Sequence, residues 1–187
     1  MRILLSLFFV LIAIVSADAQ LAPPAEGKAV VYIVRAPGNA MLVNFRYYDG
    51  DQLLGRFNAG KYLRYECEPG EHVFWARSEN RSYVEADLEA GGIYVLESAV
   101  LPGGLKARVA LVPVVKKGDK DVRKWIRKMI NKKDAQTFTD AELAEWSDKV
   151  SDATDRGTER YENRKEKGKR TKQMGRTSKL SLADLKI

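Results

Sequence analysis

A mainly β fold is predicted, an antiparallel β-sandwich of about seven to eight strands followed by a helical, partly disordered basic C-terminal tail. Three observations predict it. Apolar and polar residues alternate with period two through much of 28–115, the spacing that turns one side of a strand toward a core. Turn-forming residues interrupt these runs at short intervals. Charge is also unevenly distributed: residues 116–187 carry 21 Lys/Arg and 13 Asp/Glu, so the net charge of +7 belongs to the tail. Such asymmetry marks an interaction segment, commonly for a membrane or a polyanion.

The chain opens on an expected export signal. Arg2 is followed by an apolar run over 3–15, broken only by Ser6, and then by Ala17-Asp18-Ala19. Thirteen residues are too few to span a bilayer core, which takes about twenty. A signal peptide over 1–19, cleaved after Ala19, is expected, with cleavage after Ala17 as the alternative. The mature chain would begin at Gln20, in the periplasm. A short linker over 20–27 leads to the β body.

In the body, Met41, Val43, Phe45 and Tyr47 alternate with Leu42, Asn44, Arg46 and Tyr48. Ser82, Val84, Ala86 and Leu88 repeat the pattern, as do Leu105, Ala107, Val109 and Leu111. Segments 28–36 and 93–101 are apolar on both faces, as expected of strands covered on both sides. Asp49-Gly50 signals a hairpin, because glycine readily supplies a positive φ. Pro37-Gly38-Asn39, Asn58-Ala59-Gly60, Pro69-Gly70, Gly91-Gly92 and Pro102-Gly103-Gly104 mark further turns. A body over 28–115 is expected to fold by itself, with Tyr47, Tyr48, Tyr62, Tyr65, Phe74 and Trp75 as core and cross-strand packing.

The order of short motifs in this body is similar to that of a known family. Residues Tyr32 and Arg35 of the first strand, Leu54-Gly55, Tyr62, Pro69-Gly70-Glu71-His72 and Leu88-Glu89-Ala90-Gly91-Gly92-Ile93-Tyr94 succeed one another along the chain. The set resembles the domain of unknown function 2846 family of bacterial envelope proteins, over residues 27–114. The resemblance implies an exported β-domain, often on lipoproteins, and carries over no catalytic residue. The chain departs from many members in having no acylated cysteine after the leader and in its long basic tail.

Catalytic chemistry is poorly provided for. Cys67 and His72 are the single residues of their types. A metal site from Cys67, His72, Glu66 and Glu68 is disfavoured, because neighbouring strand residues point to opposite faces and Pro69-Gly70 intervenes. No Gly-x-Ser-x-Gly elbow or phosphate-binding glycine loop is present. No catalytic, cofactor or metal site is expected. Cys67 is read as a buried, inert thiol, and His72 as a turn cap or cross-strand hydrogen-bonding residue.

In the tail, Val122, Trp125, Ile126, Met129 and Ile130 share one helical face. Arg123, Lys124, Arg127 and Lys128 fill the rest. Such a helix either docks on the sandwich, the favoured reading, or lies on an anionic membrane with Trp125 at its edge. Thr139 and Glu142 have capping-box spacing, with Phe138 and Leu143 as the staple. Leu143, Trp146, Val150 and Ala153 form a stripe suited to a partner helix. Segment 156–179 has ten Lys/Arg against three Glu and few apolar residues, so it is expected to be helical early and disordered later. Its candidate contacts are Arg164, Lys165, Lys169 and Arg170. The closing Leu180 to Leu185 stretch is a candidate docking peptide.

The expected function is a non-catalytic exported envelope protein, a binding or scaffold module. Its tail would meet an envelope protein, an anionic membrane or an envelope polyanion. Nucleic acid is not expected, since export removes the chain from it. The alternative is a subunit of an envelope assembly, a helix-mediated oligomer joined through the C-terminal helices. An enzyme with an unrecognised site is the less favoured third reading.

Overall fold

The body forms strands β1 (Ala29–Arg35), β2 (Phe45–Asp49), β3 (Gln52–Phe57), β4 (Lys61–Cys67), β5 (Gly70–Arg77), β6 (Arg81–Leu88), β7 (Ile93–Pro102) and β8 (Ala107–Pro113), and the alternation expected from Met41 becomes strand only at Phe45, after a turn at Met41 and Leu42. The computed structural model describes residues 21–38, 40–102 and 107–186. The expected leader over 1–19 and the glycines after Pro102 lie outside the described residues. At the Asp49-Gly50 hairpin, Gly50 has φ +54°, in the left-handed region that favours glycine.

The strands make two sheets, a first in the order β4-β1-β7-β8 and a second in the order β3-β2-β5-β6-β9, where β9 is Lys172–Met174 from the tail. The expected antiparallel sandwich is corrected to two mixed sheets: β1 runs parallel to β7, and β6 parallel to β9. Alternation reports which face of a strand is buried, but carries no information about its neighbour. Between the sheets lies a core that includes Val31, Ile33, Phe45, Tyr47, Phe74, Val84, Leu96, Val109 and Met174.

The tail provides two further layers. Helix α1 (Lys120–Lys132) is capped by Asp119, whose side chain accepts from the amides of Asp121 and Val122. Its Ile126, Met129 and Ile130 pack on Val30, Tyr32, Val34 and Val95, the outward residues of the first sheet. This cover is why β1 is buried along its whole length. The Tyr62 hydroxyl donates to the Lys133 carbonyl at 2.9 Å and ties the helix end to β4. Leu180 and Leu185, the latter in the short α4 (Leu182–Leu185), complete this layer. The candidate docking peptide thus docks on its own chain.

On the other side, α2 (Asp140–Asp148) begins at the expected Thr139–Glu142 capping box. Helix α3 (Ser151–Glu166) follows after a break at Lys149 and Val150. Leu143, Trp146 and Tyr161 pack on Tyr48, Leu53, Trp75 and Tyr83 of the second sheet. The Leu143–Trp146 stripe therefore covers the chain's own sheet, where a partner helix was expected. Gly157 permits this contact: a Cβ there would stand 2.3 Å from Trp75 Cη2. Gly55 does the same for Phe138, whose ring lies 2.3 Å from where its Cβ would be.

The expected disorder late in 156–179 is corrected. After Gly168 the chain pairs with β6 through β9, buries Met174 between the sheets and buries Ser178. Low apolar content argues against a segment folding alone. Here an open sheet edge supplies the backbone partners, and one methionine supplies the contact with the core. The architecture is helix, sheet, sheet, helix, written by one chain that covers both outer faces of its own sandwich.

Candidate functional site

Strand register assembles a row that no local pattern displays. Arg56 on β3 stands opposite Arg46 on β2, Arg46 opposite Arg77 on β5, and Arg77 opposite Arg81 on β6. The four side chains share the outer face of the second sheet at one end of its strands. The next row inward is Leu53, Tyr48, Trp75 and Tyr83, again directly paired. Tyr48 stacks on Trp75 at 3.8 Å with an interplanar angle of 5°, and the Trp75 indole donates to the Gly50 carbonyl at 2.7 Å. A rigid aromatic floor thus positions the arginines.

Like charges directly opposite on a sheet are unfavourable. Among the described residues, no ion pair reaches Arg46, Arg56, Arg77 or Arg81. Helix α3 adds Arg156, Arg160 and Arg164 at four-residue spacing, so they share one helical face. Of these three, only Arg156 has an acidic partner among the described residues, Asp152 at 3.9 Å. Arg164 lies 6.0 Å from the Tyr83 ring centre. The Arg81 guanidinium is held below its ordinary pKa, first by burial and further by Arg77, Arg160 and Arg156, while Tyr83 acts the other way. Shallow depressions that share Arg46, Arg77 and Arg156 join the row to α3. Guanidinium forks match phosphate and carboxylate geometry, so this surface can take an extended anion.

The sequence-selected residues divide between two faces. Arg123, Lys124, Trp125, Arg127 and Lys128 lie on α1, over the first sheet. Trp125 packs against that layer's apolar cluster, and Arg127 Nε donates to the Lys186 carbonyl at 2.9 Å. Arg164 and Lys169 line the α3 groove beside Arg81. Arg170 is exposed, and its carbonyl accepts from Arg164 at 3.3 Å. Lys165 turns toward a different hollow, lined by Glu71, His72, Glu85 and Asp87. The structure does not bring the two basic groups together. Arg46, Arg56, Arg77 and Arg81 were missed, because each alone reads as the polar member of a strand alternation.

His72 and Cys67 lie apart from this surface. His72 Nδ1 lies 2.7 Å from Asp49 Oδ2 and Nε2 lies 2.9 Å from the Glu68 carbonyl, a cross-strand arrangement. Cys67 is buried on β4, and burial first of all pushes its thiol up to about 12, well away from nucleophilic range. Among the described residues, no group of three or more His, Cys, Asp or Glu side chains is placed to hold a metal ion. No described helix is long and apolar enough to cross a membrane. No family model matches the chain, and no curated protein matches it.

Proposed function

We propose that this protein is an exported, non-catalytic envelope module that binds an extended polyanion across its second sheet and α3. The observation that supports this best is the uncompensated row Arg56–Arg46–Arg77–Arg81 with Arg160 and Arg164 beside it. Uncompensated charge that costs stability fits a site kept for a ligand. The expected export signal over 1–19 and the sequence resemblance to the envelope family over 27–114 support a periplasmic ligand in this reading. Candidates are phosphate- or carboxylate-bearing polymers and lipid surfaces.

The test uses long-chain inorganic polyphosphate as probe. Binding should fall steeply with salt, since exposed charges are screened within about 8 Å at physiological ionic strength. The double variant Arg46→Gln/Arg77→Gln should bind about tenfold or more weakly at low salt, because each cation beside an anionic surface is worth about 1 kcal/mol. Its melting temperature should hold or rise as repulsion is relieved. Unchanged affinity in that variant, with loss in Lys124→Gln/Lys128→Gln, would move the site to α1 and overturn the assignment.

A further inference from the structure

Three large hydrophobic residues are exposed among those described: Met41 at 62%, Leu42 at 89% and Leu101 at 42%. All three lie at one end of the sandwich. The loop after β1 carries Met41 and Leu42, and β7, parallel to β1, carries Leu101 past the level of β1's last residues. It is also the end that carries the arginine row: Arg46 follows Phe45 at the start of β2, and Arg77 ends β5.

Met41 and Leu42 occupy the apex of a tight turn, closed by the Val43 amide donating to the Ala40 carbonyl at 3.1 Å. Such positions ordinarily take Gly, Asn, Asp or Pro. This turn is also held from beneath. Arg35 is fully buried and donates to the carbonyls of Val43 at 2.6 Å, Ala40 at 2.9 Å and Phe57 at 3.3 Å. Its guanidinium lies 3.6 Å from the Phe45 ring centre, and no carboxylate pairs with it among the described residues. Ala40 sits at φ +55°, a left-handed conformation uncommon for a residue with a side chain. A buried cation and a strained backbone are both costly, and both serve to hold an apolar tip out into solvent. Val43 and Asn44, the turn's last residues, share a depression with Arg46, Arg56 and Arg77.

We propose that the turn over 40–43 is an interfacial membrane anchor: Met41 and Leu42 enter the acyl boundary of an anionic phospholipid bilayer while Arg46, Arg56 and Arg77 meet its headgroup phosphates. This deepens the polyanion reading and rests on it for the arginine row. Stable membrane attachment takes two signals, such as an apolar insertion with a basic patch, and both are present on one rim. Charge complementarity calls for an anionic surface, and the small apolar area decides for the bilayer over a protein partner. Three apolar side chains are too few for the core of a stable protein interface, whereas a few inserted side chains with adjacent cations suffice at a lipid surface.

The test is cosedimentation of residues 20–187 with vesicles of phosphatidylcholine, with and without phosphatidylglycerol. The parent chain should bind the anionic vesicles and retain a salt-resistant fraction. Met41→Ser/Leu42→Asp should lower binding about a hundredfold or more and abolish that fraction, as expected from losing two apolar side chains inserted in the bilayer. These residues are exposed at a turn apex, and polyphosphate binding by the variant reports that its fold is intact. A polarity-sensitive dye on Leu42→Cys should shift to the blue on anionic vesicles, with Cys67 protected by burial. Parent-like vesicle binding by the variant, or an unshifted dye, overturns the anchor and leaves the polyanion reading standing. A parent chain that binds polyphosphate but not vesicles does the same. A parent chain that binds neither overturns both.

Discussion

The two outer faces of the sandwich are covered by the same tail and used differently. Over the first sheet, α1, α4 and Leu180 close an apolar layer on Val30, Tyr32 and Val34. Over the second sheet, α2 and α3 close only the inner part, on Tyr48, Trp75 and Tyr83, and the adjoining arginine row stays open. On the first face α1 buries its apolar side, and Lys124 and Lys128 face solvent. On the second face the helix brings further cations to a row already crowded with them. Net charge alone would rank α1 and α3 as equals. Position relative to the sheet separates a helix that closes a core from one that also borders an arginine row.

The largest effects should come from breaking the two closures. Trp75→Ala removes the stacked partner of Tyr48 and the surface on which Gly157 rests, and should cost about 3–5 kcal/mol in urea unfolding. Ile126→Ala, the corresponding change on the first face, should cost about 2–5 kcal/mol. Equal costs would mean the two covers are equally integral to the fold. A cost below about 1 kcal/mol at Trp75 would mean that α3 is held loosely and the second face is open along its length.

Next in size is Gly157→Ala. In an exposed helix this change stabilises by about 1 kcal/mol, through propensity. Here the added methyl would meet Trp75 at 2.3 Å, and the Gly157 carbonyl already accepts from the Tyr83 hydroxyl at 2.8 Å. Overpacking should therefore reverse the sign and cost about 1–3 kcal/mol. A stabilised variant in thermal melting would show that α3 can lift from the sheet without penalty.

The sequence carried the local features of this arrangement. Strand segments, the Asp49-Gly50 hairpin, the Thr139–Glu142 box and the apolar face of α1 are all encoded within a few residues. Pairing is not encoded that way. The parallel partnership of β1 with β7 joins residues about sixty apart, and β9 reaches β6 across a longer gap. The arginine row depends on three registers at once, so it became visible only with the fold. Composition was misleading for 167–179, where Met174 and Ser178 are fixed by a sheet edge that composition cannot report.

The smallest effect sharpens a second contrast, between the ends of the second sheet. Opposite the arginine end, Glu71 stands directly across from Asp87, and Asp49 faces His72. The His72 ring faces a carboxylate oxygen of Asp49 and the Glu68 carbonyl, so the geometry suits an imidazolium that donates from both nitrogens. Its pKa is accordingly raised, first by the Asp49 hydrogen bond and also by the Glu68 carbonyl, against an opposing effect of burial. A raised folded-state pKa means the contribution is whole below the unfolded value of about 6.5 and is lost as pH rises through the folded one. The loss should be on the order of 1 kcal/mol. Relative to His72→Gln, the parent's melting temperature should therefore decline as pH rises above about 6.5. That decline should persist unchanged in Arg46→Gln/Arg77→Gln, since sites at opposite ends of a sheet add independently. A pH response that disappeared with the arginines would mean that the two ends are coupled through β5, and that the charge polarity of the sheet acts as one unit.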